Sequence, residues 1–194
     1  MTLKNYILAI LIIFISSCKQ SENNTEDEVV MTENYSLSVP KDLERTNNLN
    51  ELAKVQFQKV DEDLYFIVLE ETKKSFENAI KLKVHKTTPS LFGYYQVVTS
   101  HFDELYDDFK ITDFGRTKIN SCNAIVFSMS GKGLDDGKKA FFRYALIEDS
   151  NNLYQIMSWT NINYKDKLIG KMGGIINSFK SKSTMTGSWS EERN

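Results

Sequence analysis

Two histidines, His85 and His101, and two cysteines, Cys18 and Cys122, are the whole supply of imidazole and thiolate metal ligands in 194 residues. A zinc site needs three or four such ligands at suitable spacing, and these do not provide it. His101 falls between Val98 and Phe102 in a helical pattern and reads as a structural residue on the helix flank. Asp103, Glu104, Asp107 and Asp108 carry enough charge for a calcium ion. They lack the glycine turn of a calcium loop, so they read as the solvated face of the same helix. The segment GKGLDDG, residues 131–137, is the most loop-like candidate, and loops carry function disproportionately. It has no Gly-Lys-Ser/Thr to cradle a phosphate and reads as a hairpin turn. Ser128 and Ser130 flank no G-x-S-x-G elbow. Tyr144, Tyr154 and Trp159 lie in strand patterns, where packing in the core or on the sheet is the simpler role. Cys122 sits in an apolar strand pattern as a small buried hydrophobe, with no neighbouring cation to lower its pKa. No catalytic set, no metal site and no cofactor motif is expected.

Cys18 is different. Residues 1–5 carry one lysine, residues 6–15 are an unbroken apolar run, and Ser16 and Ser17 precede the thiol. The run is too short for the roughly 20 residues of a membrane-spanning helix and has the length of a signal-peptide core. Ile15-Ser16-Ser17-Cys18 resembles the lipobox of bacterial lipoproteins, in which small residues admit the peptidase and the thiol accepts lipid. The resemblance implies that residues 1–17 are removed, that Cys18 is diacylated, and that its new amine is acylated as well. Two or more acyl chains give stable anchoring. Lys19 stands where an Asp would favour inner-membrane retention, which in a Gram-negative host implies an outer-membrane address, facing the periplasm or the cell surface. Residues 18–34 are expected to be an acidic, disordered tether. Residues 19–34 carry a net charge of −4, while the rest of the chain is close to neutral. Glu26-Asp27-Glu28 is similar to acidic surface-export tethers, but a solvated linker is the preferred reading. With Cys18 acylated, Cys122 has no disulfide partner, and stability must come from core packing.

The body, residues 35–182, reads as one α+β domain, with a flexible tail at 183–194. A chain that is 41% hydrophobic, 26% charged and at net charge −2 is globular and presents no field for nucleic acid. Alternation predicts strands over 35–39, 54–60, 64–69, 111–119, 124–129, 138–147 and 153–160. Leu91, Tyr94, Tyr95, Val98, Phe102, Leu105 and Phe109 step by three and four and predict one long helix opened by Pro89. A last helix starts near Tyr164 with Leu168, Met172, Ile175, Ile176 and Phe179 on its apolar face; Gly170, Gly173 and Gly174 weaken it intrinsically. Residues 70–88 fit no pattern. Strand runs joined by short turns predict a mainly antiparallel sheet of about six to seven strands with helices packed on it.

The first strand ending at Pro40, the helix ending in Phe109, the segment from Ile119 through Ala124–Met129, the strand Leu153–Trp159 and the closing Ile175-Ile176-Asn177-Ser178-Phe179 together resemble the PsbP/Mog1/DcrB-like family. That resemblance implies an α/β/α sandwich and a mostly non-enzymatic role in assembly or protein binding, and it carries no catalytic residues over. The leading expectation is a membrane-anchored envelope lipoprotein acting as a non-catalytic binding or assembly module, its contacts being the membrane and a protein partner. The competing readings are a small-molecule or lipid carrier, which requires an apolar cavity, and an envelope hydrolase, which requires two carboxylates about 5–10 Å apart across a cleft.

Overall fold

The structure, a computed structural model, describes residues 27–183. Residues 1–26, which include the expected signal segment and Cys18, and residues 184–194 lie outside the described residues.

The hairpins come first. β4 (Val55–Lys59) and β5 (Leu64–Thr72) pair antiparallel around a 3₁₀ turn closed by Asp63 at φ 48°. β6 (Tyr106–Ile119), β7 (Cys122–Gly133), β8 (Lys139–Glu148) and β9 (Asn152–Asn161) form a meander. β3 (Glu44–Arg45) adds a short edge, giving a seven-stranded sheet in the order β3-β4-β5-β9-β8-β7-β6. A second sheet holds β1 (Asp27–Met31), β2 (Tyr35–Pro40) and β10 (Lys180–Ser181), with β2 in the middle.

Alternation sends side chains to both faces of the large sheet, and both faces are covered. On one face Phe66, Val68, Phe141, Ala145, Ile147, Tyr154 and Ile156 meet β1, β2 and helix α4 (Lys165–Asn177). α4 buries Leu168, Met172, Ile175 and Ile176, as its spacing predicts. Its three glycines have nothing within 4 Å of an added Cβ, so they lie on its open side. A net of charges fixes α4 at its start. Lys171 and Lys59 both reach Asp42 at 2.8 Å, and Lys167 reaches Glu62 at 2.8 Å. On the other face Ile125, Phe127, Met129, Phe142, Tyr144, Leu146 and Leu153 pack under α1 (Lys73–Lys81), α2 (Leu91–Thr99) and the single turn α3 (Phe102–Leu105). Thr72 and Ser90 cap α1 and α2 by accepting from the N–H groups of Ser75 and Gly93. A Cβ on Gly93 would stand 2.0 Å from the Thr88 carbonyl oxygen, so the close entry into α2 requires glycine there.

The architecture is therefore the expected α+β one, with several local corrections. Residues 27–31 are not tether: β1 pairs with β2 over five registered positions and buries Val30. The acidic composition of that stretch hides an apolar Val-Val-Met core of the strand. Ser183, assigned to the tail, is bonded into the body through Ser181. The long helix to Phe109 does not exist. It breaks at Ser100–His101, and from Tyr106 the chain joins β7 as an edge strand. The pairing partner overrides the helical period, and beyond the break Phe102 keeps its core place while Leu105 and Phe109 are exposed. Residues 73–81, unassigned from sequence, are α1.

Candidate functional site

The singled-out residues are scattered. His101 caps nothing and lies exposed, its Nδ1 3.2 Å from Glu104. His85 is elsewhere, against the ring of Phe76 at 5.7 Å. Asp107 and Asp108 belong to β6, beside a register shift, and do not share a helix face with Asp103. In the 131–137 segment β7 continues to Gly133 and only the remainder turns, closing at Gly137 with φ 67°. Ser128 is buried and accepts from Arg143 at 2.8 Å. Trp159 stands between the rings of Tyr65 and Phe142, at 5.3 and 6.3 Å, which leaves neither face of the indole open as a platform. Tyr144 stacks on Phe127 at 4.7 Å inside the core. Among the described residues no three or more His, Cys, Asp or Glu side chains gather in a way that could hold a metal ion.

The polar groups that are brought together sit at the β8–β9 turn, and sequence reasoning missed them. Glu148 and Lys73 form a buried ion pair at 2.9 Å, with Asn123 donating to Glu148 at 3.0 Å. The adjacent Asp149 is fully buried. Its Oδ1 accepts from the backbone N–H groups of Asn151 and Asn152 at 2.8 and 2.7 Å, and its Oδ2 accepts from the hydroxyls of Tyr154 and Ser181, both at 2.7 Å. Burial opposes the charge, but these donors outweigh it and hold the Asp149 carboxyl below its ordinary range. The Tyr154 hydroxyl is pushed up by burial and by its bond to the Asp149 carboxylate. Cys122 lies buried nearby, its thiol raised first by burial and then by the charge of Asp149. Every acceptor of Asp149 is taken by its own fold, so the cluster is a fastener for β8, β9 and β10 rather than a reaction centre. The only sequence signal was the Asp-Ser-Asn-Asn turn, residues 149–152.

The surface that could engage something outside the chain is the flank where α2 meets β6. Leu91–Thr99 contains no charged residue, whereas α1 and α4 each carry several. A helix without a charged face normally has both sides covered, yet Phe92 is 38% and Phe114 46% exposed. Tyr95 joins them, its ring 5.7 Å from Phe92, 5.1 Å from Phe114 and 5.2 Å from the core ring of Phe127. The Arg116 guanidinium lies over the Phe92 ring at 5.3 Å. β6 presents Phe114 because its ladder slips between Thr112 and Gly115, with Asp113 at φ 54°; a bulge of this kind re-aims a side chain. The sequence reading runs this helix on to Phe109 and gives it an acidic face, so neither the uncharged helix nor the slipped strand is anticipated.

Compared by sequence, the chain matches no family model and no curated protein. Compared by structure, it is similar to the cyanobacterial PsbP (CyanoP) of Synechocystis, with a TM-score of 0.52 at 9% identity, covering 86% of this chain and 98% of that one. It is also similar to LpqN, involved in cell envelope biogenesis of Mycobacterium tuberculosis, with a TM-score of 0.52 at 10% identity, covering 82% and 92%. The chain thus has a PsbP-like fold. No helix among the described residues is long and apolar enough to cross a membrane.

Proposed function

We propose that this chain is an envelope lipoprotein, anchored through Cys18 and addressed to the outer membrane, whose folded body is a non-catalytic module that holds a protein partner on its α2–β6 flank. The observation that carries the reading is the uncharged helix α2, which leaves Phe92 and, beside it on β6, Phe114 exposed around Tyr95 and Arg116. Aromatic residues and arginine are the side chains on which protein interfaces concentrate their binding energy. The fold shared with an envelope-biogenesis protein and with PsbP is consistent with such a role. Glu148 and Asp149, the buried carboxylates, are engaged by internal partners, which speaks against the hydrolase. Both faces of the sheet are filled with packed side chains, which speaks against the carrier.

The test is site-directed photocrosslinking in intact cells, with the crosslinking residue placed at Phe92 and, for comparison, at Leu52, an exposed apolar residue elsewhere. A discrete protein adduct from position 92, absent from position 52 and lost on Phe114→Asp, is the expected result. Equal labelling from both positions, or none from position 92, refutes the proposal.

A further inference from the structure

Charges of both signs are interspersed along most of the body, but one stretch departs from this. From Asn78 to Phe102 there is no Asp or Glu, and Lys81, Lys83 and Lys86 fall inside that stretch. They lie on the turn after α1, which reads Lys81-Leu82-Lys83-Val84-His85-Lys86. All six but His85 are exposed, Leu82 to 76% and Val84 to 68%. The turn is held in shape. The N–H groups of Leu82, Lys83 and Val84 donate to the carbonyls of Asn78, Ile80 and Ala79, each at 2.9 Å. The His85 ring lies against the buried ring of Phe76 at 5.7 Å. Lys83 has φ 61°, in the left-handed conformation with which helices ordinarily end on glycine. A cation therefore occupies that position at some cost in backbone energy. Beside the turn an open groove lies on α1. One end is polar, with Thr72, Lys74, Ser75 and Asn78, and the other is apolar, with Ala79, Leu82 and Val84.

We propose that the turn 81–86, with the groove of α1 beside it, is a contact for the anionic surface of a phospholipid bilayer. Leu82 and Val84 enter the headgroup layer, and Lys74, Lys81, Lys83 and Lys86 meet its phosphates. Two features of the site select this occupant. The first is charge: lysines near an anionic lipid surface are each attracted to it, and no carboxylate interrupts the row between residues 78 and 102. The second is the alternation of cations with outward aliphatic side chains. Lysine lays an apolar stem along such a surface while its ammonium stays among the headgroups, and the aliphatic side chains between them are buried at the same depth. An acidic protein would pair with the lysines but would leave Leu82 and Val84 facing its charges. The groove repeats the pattern, polar at one end and apolar at the other, as a phospholipid is. The proposal uses neither Cys18 nor the α2–β6 flank.

Depth-dependent quenching tests it. The full chain carries an environment-sensitive fluorescent amino acid at position 84 or, for comparison, at position 134, where Leu134 is also exposed. It is reconstituted into vesicles that contain nitroxide-bearing lipid. The vesicles are either phosphatidylcholine alone or phosphatidylcholine with about 30% phosphatidylglycerol, a fraction that gives a negative surface potential. The expected result is quenching at position 84 at least about threefold stronger in the anionic vesicles, with little change at position 134. Salt at about 0.5 M, where charges are screened within about 4 Å, should remove most of the difference. Lys81→Glu with Lys86→Glu should abolish it, Lys81→Arg with Lys86→Arg should keep it, and Leu82→Ser should weaken it. Three outcomes overturn the proposal. One is the absence of quenching at position 84 in either lipid. Another is equal quenching at positions 84 and 134, which would mean that the body lies near the bilayer without using this turn. The last is quenching at position 84 that is unmoved by charge reversal.

Discussion

Replacing Asp149 by alanine should be among the most damaging single changes on the surface-distant side of this fold. The carboxylate is inaccessible to water and accepts four hydrogen bonds at 2.7–2.8 Å. A hydrogen bond to a charged group is worth about 1.5–3 kcal/mol, and stranding a buried donor costs about 1–3 kcal/mol. The four donors share one site and do not add. Ser181 also keeps access to water, so the expected loss is roughly 4 kcal/mol rather than the sum. Asp149→Asn keeps an oxygen for the two backbone donors, and the Tyr154 and Ser181 hydroxyls can rotate to accept from its NH₂, so it should cost about 1–2 kcal/mol. Urea unfolding followed by circular dichroism measures both, read as a shift in midpoint at constant slope. The pH dependence adds a second check. The folded carboxyl titrates below its ordinary value, so its stabilisation is present above the unfolded value of about 4 and is lost as pH falls through the lower folded value. Asp42 and Glu62 are shifted the same way, so the Asn variant should flatten the acid limb of the stability profile without abolishing it. An alanine variant no less stable than Ser150→Ala, or an unchanged acid limb in the Asn variant, refutes the reasoning.

Phe102→Ala should cost roughly 3–5 kcal/mol by leaving a cavity under α3, whereas His101→Ala, at an exposed position, should stay within about 0.5 kcal/mol; equal losses in denaturation would show the face assignment to be wrong. Deleting residues 19–26 should leave the unfolding midpoint unchanged, while extending the deletion through Met31 should lower it, because five registered pairs and the buried Val30 go with β1. Cys18→Ser should abolish incorporation of a palmitate analogue, and unchanged labelling would remove the lipid anchor from the proposal.

How far the sequence reached depended on whether local pattern and tertiary pairing agreed. Lys139–Glu148 and Asn152–Asn161 alternate over a length that only strands explain, and their turn carries Asn and Asp, so both hairpin arms were legible. α4 was legible in spite of three glycines because Leu168, Met172, Ile175 and Ile176 repeat at helical spacing. Tyr106–Phe109 went the other way. Those residues continue the helical period, and only the neighbouring Gly131–Gly133 segment, which offers a free ladder, makes them a strand. Val29-Val30-Met31 was outvoted by the acids around it. The Asp149 fastener was illegible for a different reason: Ser181 is 32 residues away along the chain, and no periodicity announces a contact of that separation.

The position of β1 has a mechanical consequence. In the hairpin it makes with β2, Asp27 lies opposite Pro40 and the turn is at the far end. A pull on the N-terminal side of Asp27 therefore loads the rungs one after another, as in opening a zip, instead of all at once. The first rung is weak, since Pro40 has no N–H to give, and Glu28 and Val29 are exposed. Resistance begins at Val30, whose side chain must leave the core before the remaining rung can part. Five residues released in this way would add about 17 Å of reach, so the first strand can act as a reserve of length that yields under tension while the seven-stranded sheet stays intact.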